Sequence, residues 1–126
     1  MAGLTPILIK SFLAGAAIPA RTQVKFAGAD DTVIACAAAA DFSVGVTTDL
    51  PVIAGETVDV IMLGIGECIL GAAVTRGALV TSDATGRAIT AAAAAGVNVR
   101  SIGLAAASGV LGDIVPLAVS PCSFQG

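Results

Sequence analysis

One pattern is written twice in this chain, and it restricts the fold more than any other feature. Phe42-Ser43-Val44-Gly45-Val46, a loop, and Gly55-Glu56-Thr57-Val58-Asp59-Val60 are echoed by Arg100-Ser101-Ile102-Gly103-Leu104, a loop, and Gly112-Asp113-Ile114-Val115-Pro116-Leu117. With Gly55 laid on Gly112, Val58, Val60 and Met62 fall on Val115, Leu117 and Val119, the alternation that marks the inward face of a strand. Pro116 falls on Asp59, an outward position where a missing N–H is tolerated near a sheet edge. Upstream, Gly15-Ala16-Ala17-Ile18 matches Gly71-Ala72-Ala73-Val74, Val24 matches Val80, and Ile34-Ala35-Cys36-Ala37 matches Ile89-Thr90-Ala91-Ala92. The pseudo-repeats run over about 15–70 and 71–120 inside one β domain, 15–126, and residues 1–14 precede them as an arm or an edge strand. Two copies are too few for a solenoid. The halves are therefore expected to pack face to face around one pseudo-twofold core shared by Val58, Val60, Val115 and Leu117.

Short β-rich runs lie between clusters of Gly, Asp, Pro and Ala: Gln23 to Phe26, Thr32 to Cys36, Phe42 to Thr47, Glu56 to Leu63, Glu67 to Leu70, Ala78 to Ser82, Arg87 to Thr90, Arg100 to Ala105 and Asp113 to Val119. Such spacing predicts an all-β fold, a single small β-sandwich or jelly-roll-like barrel built from two duplicated halves. Ser82-Asp83-Ala84-Thr85-Gly86 reads as a hairpin loop, and Gly64-Ile65-Gly66 as a link between two strands. The runs Ala37 to Ala40 and Ala91 to Ala95 have room for a helical turn each and are too short for stable helices. Gly45 and Gly103 sit between apolar strand residues, where glycine signals close approach of a neighbour.

The residues for most chemistry are missing. With no His in 126 residues, Ser-His-Asp and Cys-His constellations are excluded, and no buried carboxylate pair is suggested by adjacent Asp30 and Asp31. Cys36, Cys68 and Cys122 lack metal-site spacing and read as small buried thiols. A net charge of −3 without a basic stripe, and four Phe with no Trp or Tyr, argue against nucleic acid. No apolar run reaches the roughly 20 residues of a bilayer span, and Lys10 interrupts the apolar leader that faintly resembles a signal sequence. The chain is thus expected to be no enzyme, with no cofactor, no metal, no nucleic acid and no membrane. At 56% hydrophobic and 12% charged residues, it cannot cover itself with polar surface, which favours life inside an assembly.

The run of turns and strands, Gly-Glu-Thr-Val-Asp-Val from Gly55, Gly64-Ile65-Gly66-Glu67, Gly77-Ala78-Leu79-Val80-Thr81-Ser82-Asp83-Ala84-Thr85-Gly86-Arg87-Ala88, then Ser101-Ile102-Gly103-Leu104 with Gly112-Asp113-Ile114-Val115, resembles the tailed-bacteriophage capsid decoration, or cement, proteins over roughly residues 15 to 119. The resemblance implies a structural protein on the outer surface of a virion head, made in the host cytoplasm, with the major capsid protein and copies of itself (dimer or trimer) as partners. The alternatives are a tail or connector component, and a barrel enclosing a hydrophobic ligand. Leu4, Pro6, Ile7, Leu8, Ile9 and Phe124 are the candidate contact residues, with Gly45, Gly55, Gly103, Gly112, Val58, Val60, Val115 and Leu117 as the structural framework. Deleting Met1 to Ile9 tests whether the leader or a barrel face is the anchor.

Overall fold

Alternation in the sequence becomes strands because β-branched side chains pack well on a pleated, half-buried surface. The computed structural model describes residues 4–92, 95, 96 and 98–125. Among them lie nine strands and no helix: β1 (Thr5–Ala14), β2 (Gln23–Phe26), β3 (Thr32–Ala35), β4 (Ser43–Thr47), β5 (Thr57–Ile69), β6 (Leu79–Ser82), β7 (Ala88–Thr90), β8 (Asn98–Ala105) and β9 (Ile114–Gln125). The protein is all-β, as expected. The strands form one sheet in the order β1-β3-β2-β4-β5-β9-β8-β6-β7, and β1 also pairs with β5. That pairing draws β1, β3, β2, β4 and β5 into a closed ring. A parallel bridge from Leu70 to Ala88 brings the end of β5 against β7 and draws the remaining strands into a second ring. Both small barrels share β5.

The same contacts recur in each ring. The bridge Ile18↔Val52 has its counterpart in Val74↔Gly109. Val24 opposite Gly45 is matched by Val80 opposite Gly103. The Ala14 N–H bonds Glu56 O at 2.8 Å and the Leu70 N–H bonds Asp113 O at 2.8 Å. Gly55 and Gly112, with φ of 89° and 87°, donate to Ala14 O and Leu70 O respectively, and that left-handed turn is open to glycine without steric cost.

The single shared core does not occur. Val58 and Val60 belong to one buried cluster with Phe12, Ile18 and Val24, whereas Val115 and Leu117 belong to another with Leu70, Val74 and Val80. Equivalent residues line separate cores because each ring encloses its own interior. β5 serves both: Val58 and Val60 enter the first core, and Ile61 and Cys68 the second. The expected break at Gly64-Ile65-Gly66 is absent, since β5 runs through it. Gly64 has φ of 107°, and a Cβ there would press on Ile7 N at 2.6 Å and Thr5 O at 2.7 Å, so glycine permits a bend where β1 crosses closely rather than a loop.

Two smaller expectations also change. Ala37 to Ala40 makes a turn and no helix, because the Asp41 carboxylate accepts from the Ala37 and Ala38 N–H groups at 2.8 and 3.1 Å and pulls the chain into a loop. The second Ala run includes Ala93 and Ala94, which lie outside the described residues. Pro116 is in an interior strand, β9, between β5 and β8. Its lacking N–H is harmless there because β8 stops at Ala105, one pair earlier, and Ala106 N–H donates to Pro116 O at 2.9 Å.

Candidate interaction surface

The apolar leader is β1 itself. Met1 to Gly3 lie outside the described residues, and from Thr5 to Leu13 the strand lies antiparallel on β5, with register shifts around Leu8. On its other edge, among the described residues, it meets β3 only at Leu13 and Ala14. The inward residues Phe12 and Ala14 are buried, whereas Leu4, Ile7, Leu8 and Ile9 are exposed, Ile7 by 76%; Pro6 is exposed too. This is a strand with one open edge and aliphatic side chains in water. Sheet edges of this kind are sites of strand addition. Lys10 Nζ lies 4.9 Å from the centre of the Phe12 ring and 3.9 Å from Asp31, so the charged side chain of β1 is itself partnered. Phe124 is in β9 opposite Val99.

Two further apolar patches were not singled out by sequence. The turns before Gly55 and Gly112 present Leu50 and Ile53 in the first half, and Val110 and Leu111 in the second, all exposed. Each is braced alike: Ile53 N–H donates to Glu56 Oε1 at 2.8 Å and Val110 N–H to Asp113 Oδ2 at 2.9 Å. The signal was in the sequence, since aliphatic residues stand in both copies of a turn where polar residues are usual. The other patch gathers aromatics in a chain that has few. Phe26 stacks edge-on against Phe12 with centroids 5.8 Å apart, and Arg100 lies 4.2 Å over the Phe42 ring. Phe26 and Phe42 remain more than half exposed.

The framework glycines have distinct physical roles. A Cβ on Gly45 would meet the Ile61 carbonyl and Val60 Cγ1, and on Gly103 the Ala118 carbonyl, at impossible separations. Gly103 also carries a φ of 144° and sits in the bulge between β8 and β9. Ser101 Oγ caps that bulge, accepting from Gly103 N–H at 3.1 Å and donating to Val80 O at 2.9 Å. Asp83 is structural: its Oδ1 accepts from Thr85 N–H at 2.8 Å and Arg87 N–H at 3.0 Å to close the β6–β7 hairpin.

No family model matches the sequence, and no curated protein does. The fold resembles the base of a phage head fiber. That solved structure is the head fiber gp8.5 N base in bacteriophage phi29, with 20% sequence identity, a TM-score of 0.68, and 90% of this chain aligned to 93% of that one. At this identity the likeness to the head fiber base is one of fold, and it extends through both rings rather than through one.

Of the thiols, Cys36 and Cys68 are buried and Cys122 is exposed, so the expectation of three buried thiols fails at Cys122, where β9 has run past the end of the second core. Burial pushes the Cys36 thiol up to about 11 and the Cys68 thiol up to about 12, which leaves them protonated and inert as nucleophiles. Among the described residues no cluster of His, Cys, Asp or Glu is arranged to hold a metal.

Proposed function

We propose that this chain is a structural component of a bacteriophage head that binds the outer surface of the shell as a decoration protein and reinforces the lattice of major capsid protein. The observation that carries the reading is the fold likeness to a head fiber base across nine-tenths of both chains. The surface supports it. An open β1 edge and repeated aliphatic turns suit strand addition and shallow apolar contact with other proteins. In this reading the chain works without an active site or cofactor, and contacts the major capsid protein and copies of itself. Many modest contacts repeated over a shell sum to strong attachment.

Cryo-electron microscopy of heads from the phage that encodes the chain tests this directly. Density for the two-barrel fold on the outside of the shell is expected, with the β1 edge turned toward a neighbouring protein. Density confined to the tail or connector, or absent from particles, refutes it. A variant lacking Met1 to Ile9 retains Phe12 and Ala14, which plug the first core, and is expected to stay folded while losing most of its binding to heads; undiminished binding assigns attachment to the turns instead.

A further inference from the structure

Equivalent positions in the two halves are buried unequally. In the first half Thr22, Gln23, Val46 and Ile61 are essentially inaccessible because the second half lies on them. Gln23 Nε2 donates to Thr81 O at 3.0 Å, Gln23 N–H donates to Gly86 O at 2.9 Å, and Val46 and Ile61 belong to the second core. The counterparts follow from matched bonds. Cys36 N–H to Gln23 O corresponds to Ala91 N–H to Leu79 O, and Thr47 N–H to Thr22 O corresponds to Ala105 N–H to Ala78 O. The pair Val46↔Ile61 corresponds to Leu104↔Ala118. Yet Leu104 is 43% exposed, and Ala78, Leu79 and Ala118 are only half-buried.

The opposite face shows the reverse. Thr81, Ser82 and Gly86, the second half's contribution to the junction, are buried, while their counterparts Lys25, Phe26 and Asp31 are not, and Phe26 is 56% exposed. A twofold junction would bury equivalent residues equally, because each would meet the other's partner. The junction is therefore heterologous: one face of the first half meets a different face of the second. Every chain is left with one uncovered copy of each face, the Phe26 face on the first half and the Leu104 face on the second. Where the covered junction uses the polar pair Gln23 and Thr81, one open face carries Leu79 and Leu104 and the other Phe26, apolar groups that gain from being covered; the charged Lys25 and Asp31 on the Phe26 face are already paired within the chain, with Asp41 and Lys10.

We propose that the Leu104 face of one copy docks on the Phe26 face of the next, repeating the internal junction between chains in head-to-tail order. This deepens the self-association in the proposed function and rests on that reading for its setting. Contacts of this class close into a ring or continue as a filament.

Sedimentation equilibrium and native mass spectrometry of the whole chain, up to about 1 mM, where even a contact with a Kd of about 1 mM is half occupied, are expected to show assemblies above the monomer. Leu104→Glu and Phe26→Glu should each leave a monomer with unchanged far-ultraviolet circular dichroism; Leu104→Ser and Phe26→Ser serve if either Glu variant melts. Mixing the two Glu variants, one isotopically labelled, should give a 1:1 heterodimer that grows no further, since each supplies one intact face. A monomeric wild type, a variant that still assembles, or a mixture that stays monomeric overturns the proposal. Wild type that decorates heads as a monomer overturns this inference alone. Assembly without binding to any head overturns the head-surface reading alone.

Discussion

Three glycines separate the cost of crowding from the cost of backbone conformation. Gly112 has φ of 87° and open space where a Cβ would go, so Gly112→Ala meets only the left-handed penalty, about 1–2 kcal/mol. Gly45 has ordinary φ but faces the Ile61 carbonyl and Val60 Cγ1, so Gly45→Ala meets only overpacking, about 1–3 kcal/mol. Gly103 has both, with φ of 144° and the Ala118 carbonyl in the way. Gly103→Ala is therefore expected to cost about 2–5 kcal/mol, a large part of the roughly 5–15 kcal/mol that holds a domain together. Urea unfolding followed by circular dichroism reads all three, the midpoint falling in the order Gly112→Ala, then Gly45→Ala, then Gly103→Ala. Equal losses at Gly103 and Gly112 would show that the β8–β9 bulge relaxes away from Ala118, and the steric reasoning would be wrong.

Val24→Ala in the first core and Val80→Ala in the second, both fully buried, should each lower stability by roughly 2 kcal/mol; a loss at only one of them, measured by thermal melting, would mean the other core collapses around the gap. Iodoacetamide at pH 8 should modify Cys122 alone in the folded protein, because burial holds Cys36 near 11 and Cys68 near 12; labelling of either buried thiol before denaturation, read by peptide mass spectrometry, contradicts this. The Ala37 N–H and the Lys25 ammonium hold the Asp41 carboxyl below its usual range, so its stabilising contribution is present above the ordinary carboxylate range and disappears as pH falls through the lowered folded value. Asp41→Asn should therefore be less stable than wild type near neutrality, with the gap closing in acid; a gap constant with pH would exclude the charge as its origin.

Strand positions such as Gln23 to Phe26 were legible because alternation and flanking turns are local properties, and the hairpin at Ser82 to Gly86 because Asp and Gly have fixed uses in turns. The likeness of Val58 and Val60 to Val115 and Leu117 was legible for the same reason. Where those residues go was not, since periodicity tells which side chains point alike and says nothing of whether they meet. Gly64 misled because glycine in a strand signals either a break or a close neighbour, and the neighbour, β1, is far away in sequence. The aliphatic turns at Leu50, Ile53, Val110 and Leu111 lie in loops, where periodicity carries no signal, and only their repetition in both halves sets them apart.

β5 belongs to both barrels, so the two halves of the duplicated chain have no linker between them. In most tandem proteins a linker can be cut and each half survives, because few contacts cross the boundary. Here the boundary falls inside a strand: cutting it near Gly64 leaves Val58 and Val60 with the first core and Ile65 to Ile69 with β9, but takes Val46 and Ile61 away from the second core and Gln23 away from Thr81 and Gly86. A cut there therefore exposes buried apolar groups on both halves. Insertions and fusions must instead enter at the turn tips, and a tag at Leu50 or Val110 leaves every strand of both rings in register.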